Sequence, residues 1–270
     1  MQFNNRVAVI TGGASGIGAA CARAFAAKGA RIVCLDINGD GAADVAAEFG
    51  GTGFGCDISD NQNVNEAVAR IRKDIGEIDL FFSNAGVSTG GDPLETELEV
   101  WESQWQINVM AHVHAIRAVL PNMLERGEGY LVHTASMAGY LTTHRNLTYA
   151  TTKHAVVGLA EWMSITYHHR GIRTSLLAPL GVRTPMLGDA SAAWASSAAG
   201  PIKEPEDVAQ RVIEAVEAER FLILTDELAQ TWMERKTGDI ERWLNAVSYT
   251  HLRAHETRGN IVCRLLREKK

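Results

Sequence analysis

Residues 11–18 read TGGASGIG, and this stretch decides the fold. A short apolar run at residues 6–11 precedes it, and an Ala-rich segment with helical spacing, residues 14–28, follows it. Glycines let a ligand approach the main chain closely, and the start of a helix offers N–H groups and a favourable dipole to an anion. A strand, a glycine turn and a helix in this order predict a site for the pyrophosphate of a dinucleotide. The predicted contacts in the turn are Gly12, Ser15, Gly16, Ile17 and Gly18.

Strand-like and helix-like segments alternate along the rest of the chain. Strands are predicted at residues 6–11, 31–36, 52–56, 79–83, 130–134, 172–177 and 220–224, with helical patterns between them. Such alternation is typical of βαβ units and a parallel sheet. We therefore expect an α/β protein. Its fold would be a single Rossmann domain over residues 1–246, a doubly wound parallel sheet of about seven strands with helices on both faces.

Asp36 ends the second predicted strand, where an acidic residue commonly binds the adenosine ribose of a dinucleotide. Its carboxylate would accept hydrogen bonds from both ribose hydroxyls and repel the additional phosphate of NADP. No basic residue lies within the glycine turn. The residues therefore favour NAD, with NADP as the alternative cofactor. A helix N-cap or a turn residue is the structural alternative for Asp36.

The ordered motifs of the chain resemble those of the short-chain dehydrogenase/reductase family. They are the TGGASGIG turn, Asp57 after the third strand, Asn84-Ala85-Gly86 after the fourth, Ser136, and Tyr149-Ala-Thr-Thr-Lys153. The resemblance covers residues 6 to about 246. It implies a cytoplasmic NAD(P)-dependent oxidoreductase that acts on a small alcohol or carbonyl compound as a homodimer or homotetramer. The further cofactor contacts that it implies are Asp57, Ile58, Asn84, Ala85, Gly86, Tyr149, Lys153, Pro179, Val182 and Thr184.

Tyr149 and Lys153 are four residues apart on a predicted helix, so their side chains share a face. A nearby ammonium, together with the positive nicotinamide ring, would lower the pKa of the Tyr149 phenol and make it a general acid or base. The resemblance assigns Ser136 to the reacting oxygen and Asn108 to a water that links Lys153 to solvent. Asn108, Ser136, Tyr149 and Lys153 are the predicted catalytic residues, and no metal is expected.

The substrate pocket is less well defined by the sequence. His144, Met186 and Leu187 are the candidate substrate contacts, and His144 is alternatively a loop residue. Met186, Leu187 and Trp194 suggest an apolar lid and a moderately apolar secondary alcohol or ketone. After the sixth strand the family usually has Pro-Gly, whereas this chain has Pro179-Leu180-Gly181. The additional Leu180 puts in question the shape of the pocket wall beside the nicotinamide.

Two alternatives to an NAD(H)-dependent alcohol dehydrogenase or carbonyl reductase remain at this point. The first is a regulatory protein that binds NAD at a catalytically idle site. The second is a sugar-nucleotide epimerase or dehydratase, for which the short C-terminal part leaves little room. The formal net charge of -6 argues against a nucleic-acid partner, and no apolar run or signal-peptide pattern indicates a membrane.

Residues 247–270 do not continue the residue pattern of the preceding chain. Residues 247–257, VSYTHLRAHET, are the translation of a common sequencing-library adapter, and we interpret the segment as a probable non-native tail. Without it the chain has 20 Lys and Arg against 30 Asp and Glu, a formal net charge of -10. The alternative is a genuine basic C-terminal helix.

Overall fold

Seven parallel strands form one sheet in a computed structural model that describes residues 1–142, 146–187 and 200–248. The strands are β1 (Val7–Thr11), β2 (Arg31–Asp36), β3 (Thr52–Gly55), β4 (Leu80–Ser83), β5 (Gly129–Thr134), β6 (Ile172–Ala178) and β7 (Leu222–Leu224). Their order is β3-β2-β1-β4-β5-β6-β7. The strand order therefore reverses between β1 and β4, the place where ligands bind in such sheets.

Helices cover both faces of the sheet, and this confirms the predicted Rossmann fold. One face carries α1 (Gly16–Ala27), α2 (Gly39–Ala47) and α8 (Pro205–Glu217). The other face carries α3 (Asn61–Asp74), α5 (Ala111–Arg126) and α7 (Leu147–Tyr167). Further helices are α4 (Leu98–Trp105), α6 (Ala138–Leu141) and α9 (Glu227–Gly238), with 3₁₀ turns at His168–Arg170 and Pro185–Leu187.

Burial explains why the central strands are largely apolar. The central strands lie between two helical layers, so neither face of the sheet meets water. All residues of β1, β4 and β5 are buried. Each helical layer contributes its own apolar cluster, around Phe25 on one face and around Ile71 on the other.

The helical pattern between the fourth and fifth predicted strands is interrupted in the structure. The structure shows two helices, α4 and α5, joined by a π-helical turn at Gln106–Met110. Short π-helical turns inside helices occur frequently at functional sites. This one contains Asn108, so the interruption lies at a predicted catalytic residue.

The chain divides into two compact units, Met1–Glu227 and Leu228–Lys270. The first unit holds the sheet. The described part of the second contains most of α9 and a helical segment at residues 240–248. Among the described helices, none has the length and apolar character that a membrane-spanning segment requires.

Candidate active site

Asn84 links three strands at the edge of the sheet where the order reverses. Its side-chain amide donates a hydrogen bond of 3.0 Å to the main-chain oxygen of Thr11, at the end of β1. Its side-chain oxygen accepts a hydrogen bond of 3.2 Å from the Thr134 hydroxyl, at the end of β5. The Thr11 hydroxyl in turn accepts the N–H groups of Asn84 and Ala85 at 3.0 and 3.1 Å. Asn84 thus holds β1, β4 and β5 together beside the glycine turn.

The glycine turn, residues 11–18, forms a concave main-chain surface that we call the cofactor cradle. Side chains at its glycine positions would fill this space. Gly12 and Gly16 have φ of +68° and +53°, values that L side chains disfavour. A Cβ atom on Gly13 would lie 2.8 Å from the Cβ atom of Cys34, and one on Gly18 would overlap the Gly12 carbonyl oxygen. The helix that starts at Gly16 has no acidic residue in its first turn. The turn therefore fits the pyrophosphate of a dinucleotide, which needs close main-chain approach and helix N–H groups.

Asp36 lies against this turn, as the predicted ribose contact must. One oxygen of its carboxylate accepts the N–H of Ala14 at 3.1 Å, and the other accepts the N–H of Asn38 at 3.0 Å. Asn38, not Asp36, caps α2, through a hydrogen bond of 3.1 Å from the N–H of Gly41. The helix-cap alternative for Asp36 is therefore excluded. The turn alternative is met, because the Asp36 carboxylate accepts the N–H of the residue two positions on, and the other carboxylate oxygen lies beside the glycine turn.

Asp57 and Ile58, two of the cofactor contacts that the resemblance implies, lie after β3. The Asp57 side chain is exposed and accepts hydrogen bonds from the N–H and the hydroxyl of Ser59 at 2.9 and 2.6 Å. Ile58 is half-buried, and its main-chain oxygen is hydrogen-bonded by the ring of His114 at 3.2 Å. His114 thus anchors the backbone at a predicted cofactor contact, a role that the sequence did not indicate.

Thr184 closes the other side of the glycine turn. A Cβ atom on Gly16 would lie 3.0 Å from the methyl carbon of Thr184. The segment before it is held by Lys203, whose main-chain oxygen accepts the N–H of Arg183 at 2.9 Å. The loop after β6 therefore lies against the glycine turn at Thr184.

Leu180, the departure from the family pattern, is accommodated within this loop. Its N–H donates a hydrogen bond of 3.2 Å to the hydroxyl of Thr225, just after β7. Met186 is 49% exposed and Leu187 is half-buried in the following 3₁₀ turn. Two of the residues predicted near the substrate, His144 and Trp194, lie outside the described residues.

Tyr149 and Ser136 meet at the carboxyl end of β5. The Ser136 hydroxyl accepts the N–H of Ala138 at 3.1 Å and contacts the Pro179 main-chain oxygen at 3.5 Å. Burial raises the pKa of the Tyr149 phenol, and its hydrogen bond with Ser136 acts in the opposite direction. The protein alone therefore keeps Tyr149 protonated at neutral pH. The lowered pKa expected from the sequence would have to come from the cofactor's positive ring together with Lys153.

Lys153 is buried, with 2% of its surface exposed. Its ammonium donates a hydrogen bond of 2.9 Å to the main-chain oxygen of Thr134 and lies 5.6 Å from the centre of the Tyr149 ring. Burial lowers the pKa of Lys153 to about 8, because the charged form loses its hydration. Tyr149 and Lys153 thus share one side of α7, as their spacing predicted.

Asn108 is fully buried beside this group. Its side-chain oxygen accepts the N–H of Val87 at 2.9 Å, while its amide donates to the Val87 carbonyl at 2.8 Å and to the Thr152 hydroxyl at 3.1 Å. A Cβ atom on Gly86 would lie 3.1 Å from the Asn108 side-chain oxygen and 3.4 Å from the Lys153 nitrogen. Asn108 therefore fixes the backbone after β4, and both of its amide protons are used within the protein.

The loop after β4 is held by further side chains that sequence reasoning missed. The side-chain oxygen of Gln104 accepts the N–H and the hydroxyl of Thr89 at 2.8 and 2.6 Å. The Thr148 hydroxyl donates to the Thr89 carbonyl at 2.6 Å. Gln104 and Thr148 are fully buried polar residues on helices, and no motif in the sequence indicated this role for either of them.

Metal ligands are a separate question. Within the described ranges, no group of three or more His, Cys, Asp or Glu side chains is placed to hold a metal ion.

A parallel sheet in this order, with a glycine turn at the reversal point and Tyr149 beside the buried Lys153, defines a Rossmann-type oxidoreductase. A family model described as short chain dehydrogenase matches residues 6–194, more than half of the chain. The chain belongs to this family.

Two enzymes named as dehydrogenases are similar in sequence. D-threitol dehydrogenase of Mycolicibacterium smegmatis is 36% identical over 190 residues, covering 68% of this chain and 73% of the relative. The 1-deoxy-11-beta-hydroxypentalenate dehydrogenase of Streptomyces exfoliatus is 34% identical over 250 residues, covering 90% of each.

A solved structure shows the same fold. It is a short-chain dehydrogenase/reductase from Burkholderia phymatum in complex with NAD, with a TM-score of 0.81 and 30% identity. The match covers 89% of this chain and 96% of that one.

Proposed function

We propose that the protein is an NAD(H)-dependent alcohol dehydrogenase or carbonyl reductase, with Tyr149 as its general acid and base. The observation that carries the proposal is the group of two half-buried residues, Ser136 and Tyr149, and the buried Lys153 near the end of β5. There Ser136 hydrogen-bonds Tyr149, and Lys153 lies 5.6 Å from the Tyr149 ring. A protein that only binds nucleotide has no need of this arrangement.

The choice of NAD rests on Asp36. Its carboxylate lies against the Ala14 N–H in the glycine turn, the position at which ribose hydroxyls would be accepted and a ribose phosphate repelled. The solved relative from Burkholderia phymatum holds NAD, which supports the same choice. The contacts proposed for the cofactor are those predicted from the sequence, from the glycine turn to Thr184.

The chemistry of the site follows from the groups around the reacting oxygen. Bound nicotinamide would accept or deliver the hydride. In the reductive direction, Tyr149 donates its proton to the carbonyl oxygen, and Ser136 hydrogen-bonds and orients that oxygen. In the oxidative direction, Tyr149 takes the proton of the alcohol, and the Lys153 ammonium stabilises the phenolate. Burial of these groups strengthens each of the charge interactions.

The substrate class proposed is a secondary alcohol or ketone of moderately apolar character. Met186 and Leu187 lie in the 3₁₀ turn that follows Thr184, so apolar side chains stand close to the proposed nicotinamide site. The two relatives above are named as dehydrogenases of hydroxylated compounds, which supports an alcohol.

We also propose that the protein is cytoplasmic and forms a homodimer or homotetramer that pairs through α7. Trp162 and Ile165 on this helix are 56% and 81% exposed. Exposed large apolar side chains on one helix are typical of a protein interface. Light scattering of the purified protein and of Ile165→Glu would test the assembly; a wild-type monomer would contradict it.

A panel of alcohols and carbonyl compounds tests the function, with NAD and NADP run side by side and NADH absorbance as the readout. The expected result is turnover of at least one secondary alcohol or ketone, faster with NAD(H). The panel should span polyols and apolar cyclic alcohols. Activity confined to small, highly charged substrates would contradict the apolar pocket. NADH binding without turnover of any compound would instead support the idle regulatory protein.

A further inference from the structure

Two histidines form a buried pair behind the proposed active site. His112 on α5 and His133 on β5 are 1% and 0% exposed, and their Nδ1 atoms are 2.9 Å apart. His114, two residues from His112, bonds the main-chain oxygen of Ile58 and does not belong to the pair. Neither residue of the pair was predicted from the sequence to have a functional role. The pair joins an element from the helical layer to the centre of the sheet.

The distance between the two rings restricts their protonation. A hydrogen bond between two Nδ1 atoms requires one ring to carry its proton on Nδ1 and the other to carry it on Nε2. Burial lowers the pKa of His133 to about 4 and lowers that of His112 well below its usual value. Both rings are therefore neutral at physiological pH, and each Nε2 atom lacks a hydrogen-bond partner in the described part of the chain.

The pair connects the two elements that surround Lys153. His133 immediately precedes Thr134, whose main-chain oxygen accepts the Lys153 ammonium at 2.9 Å. His112 lies one turn after Asn108, which bonds Thr152 next to Lys153. The positive charge of Lys153 opposes protonation of the His112 ring.

We propose that His112 and His133 are positioning residues for Lys153. Their hydrogen bond holds the end of β5 against α5, so that the Thr134 carbonyl stays in line with the Lys153 ammonium. The part of this inference that concerns turnover rests on the proposed dehydrogenase function. The part that concerns the position of Lys153 does not rest on that function, and it can be tested without a substrate.

The pair itself is tested by NMR of ¹⁵N-histidine-labelled full-length protein. The resonances are assigned with His112→Asn and His133→Asn. The expected spectrum shows one ring protonated on Nδ1 and the other on Nε2, both neutral at pH 6. Titration of either ring with an ordinary pKa near 6.5 would overturn the proposal.

Its effect on Lys153 is tested by NMR of protein labelled at lysine, of which the chain has seven. His133→Leu should lower the pKa of Lys153 by about half a unit or more, since the hydrogen bond from the ammonium to Thr134 favours the charged form. His133→Asn, whose amide can still bond His112, should restore most of the wild-type value. An unchanged or raised pKa in His133→Leu would overturn the proposal.

Tyr130→Phe is the matched control for loss of a buried polar group. Tyr130 lies on the same strand, and its hydroxyl bonds Ser175 at 2.8 Å. This variant should lose stability without moving the pKa of Lys153. Once a substrate is found, kcat can be measured as a function of pH. The decrease of kcat on the alkaline side, the alkaline limb, should move to lower pH in His133→Leu and stay in place in Tyr130→Phe. A limb that stays in place in both variants contradicts the role in turnover.

Discussion

The ammonium of Lys153 donates a hydrogen bond of 2.9 Å to the main-chain oxygen of Thr134. This contact joins α7 to the end of β5 and holds a cation in a site with almost no access to water. Burial removes water from the ammonium and disfavours its charged form, so the pKa of Lys153 is lowered to about 8. The cation is close enough to Tyr149 to stabilise a phenolate during the reaction.

This burial predicts how stability depends on pH. The unfolded chain keeps the Lys153 proton up to its ordinary pKa of 10.5, whereas the folded protein loses it near 8. Between these values the unfolded state binds more protons, so raising the pH favours the folded state. The free energy of unfolding of the wild type relative to Lys153→Met should therefore rise by about 3 kcal/mol across this window. Because other groups also titrate in this pH range, urea denaturation should be used to measure the difference in free energy of unfolding between the wild type and Lys153→Met at each pH. A difference that does not change with pH would contradict the burial of the ammonium.

Tyr149→Phe tests the proton-transfer role. The substitution removes the hydroxyl and leaves the ring, so NADH binding should be nearly unchanged while kcat falls by about 100- to 10,000-fold. Fluorescence titration with NADH and steady-state kinetics measure the two effects. Tyr167→Phe, at the other end of α7, is the control and should keep wild-type kcat. Substantial activity in Tyr149→Phe would show that another group moves the proton.

Asp36→Asn tests cofactor choice without a change in shape. The amide oxygen can still accept a main-chain N–H, but the negative charge that disfavours NADP is gone. The ratio of kcat/KM with NAD to that with NADP should fall by about tenfold. Asp44→Ala, an exposed site on α2, should leave the ratio unchanged. A ratio that also stays constant in Asp36→Asn would place the ribose elsewhere.

Gly18→Ala should disrupt the cofactor cradle. The new Cβ atom would overlap the Gly12 carbonyl oxygen, so the turn must move and NADH affinity should drop. Gly158→Ala is the matched helical control, since a Cβ atom there meets nothing within 4 Å. It should raise the free energy of unfolding by about 0.5–1 kcal/mol and leave NADH affinity intact. Equal NADH affinity in both variants would rule out the cradle.

Deletion of residues 247–270 tests the interpretation of the C-terminal segment. A chain that ends at Ala246 should keep the NADH affinity, thermal midpoint and turnover of the full chain, because the deleted segment would belong to no native structure. Genomic DNA read beyond codon 246 provides an independent check. Loss of folding on deletion, or the same codons in the genome, would favour a native C-terminal helix.

Much of the fold followed from local patterns in the sequence. Each apolar run of the predicted strands was bounded by turn residues, and this is enough to predict alternating strands and helices. The glycines of residues 11–18 indicated a turn that a ligand can approach closely, and in the structure Gly12 and Gly16 of this turn have positive φ. Family motifs supplied Ser136 and Asn108, and the four-residue spacing placed Tyr149 and Lys153 on one helix face.

The sequence by itself determined the class of fold, the glycine cradle and the shared face of Tyr149 and Lys153, since these depend on neighbours within a few residues. Only the tertiary structure decided that Lys153 bonds the carbonyl of Thr134 and that His112 pairs with His133. A main-chain carbonyl is the same in every residue, so no side chain marks it as a partner. Residues 21 positions apart meet only when packing brings a helix and a strand together, and local spacing does not encode that contact.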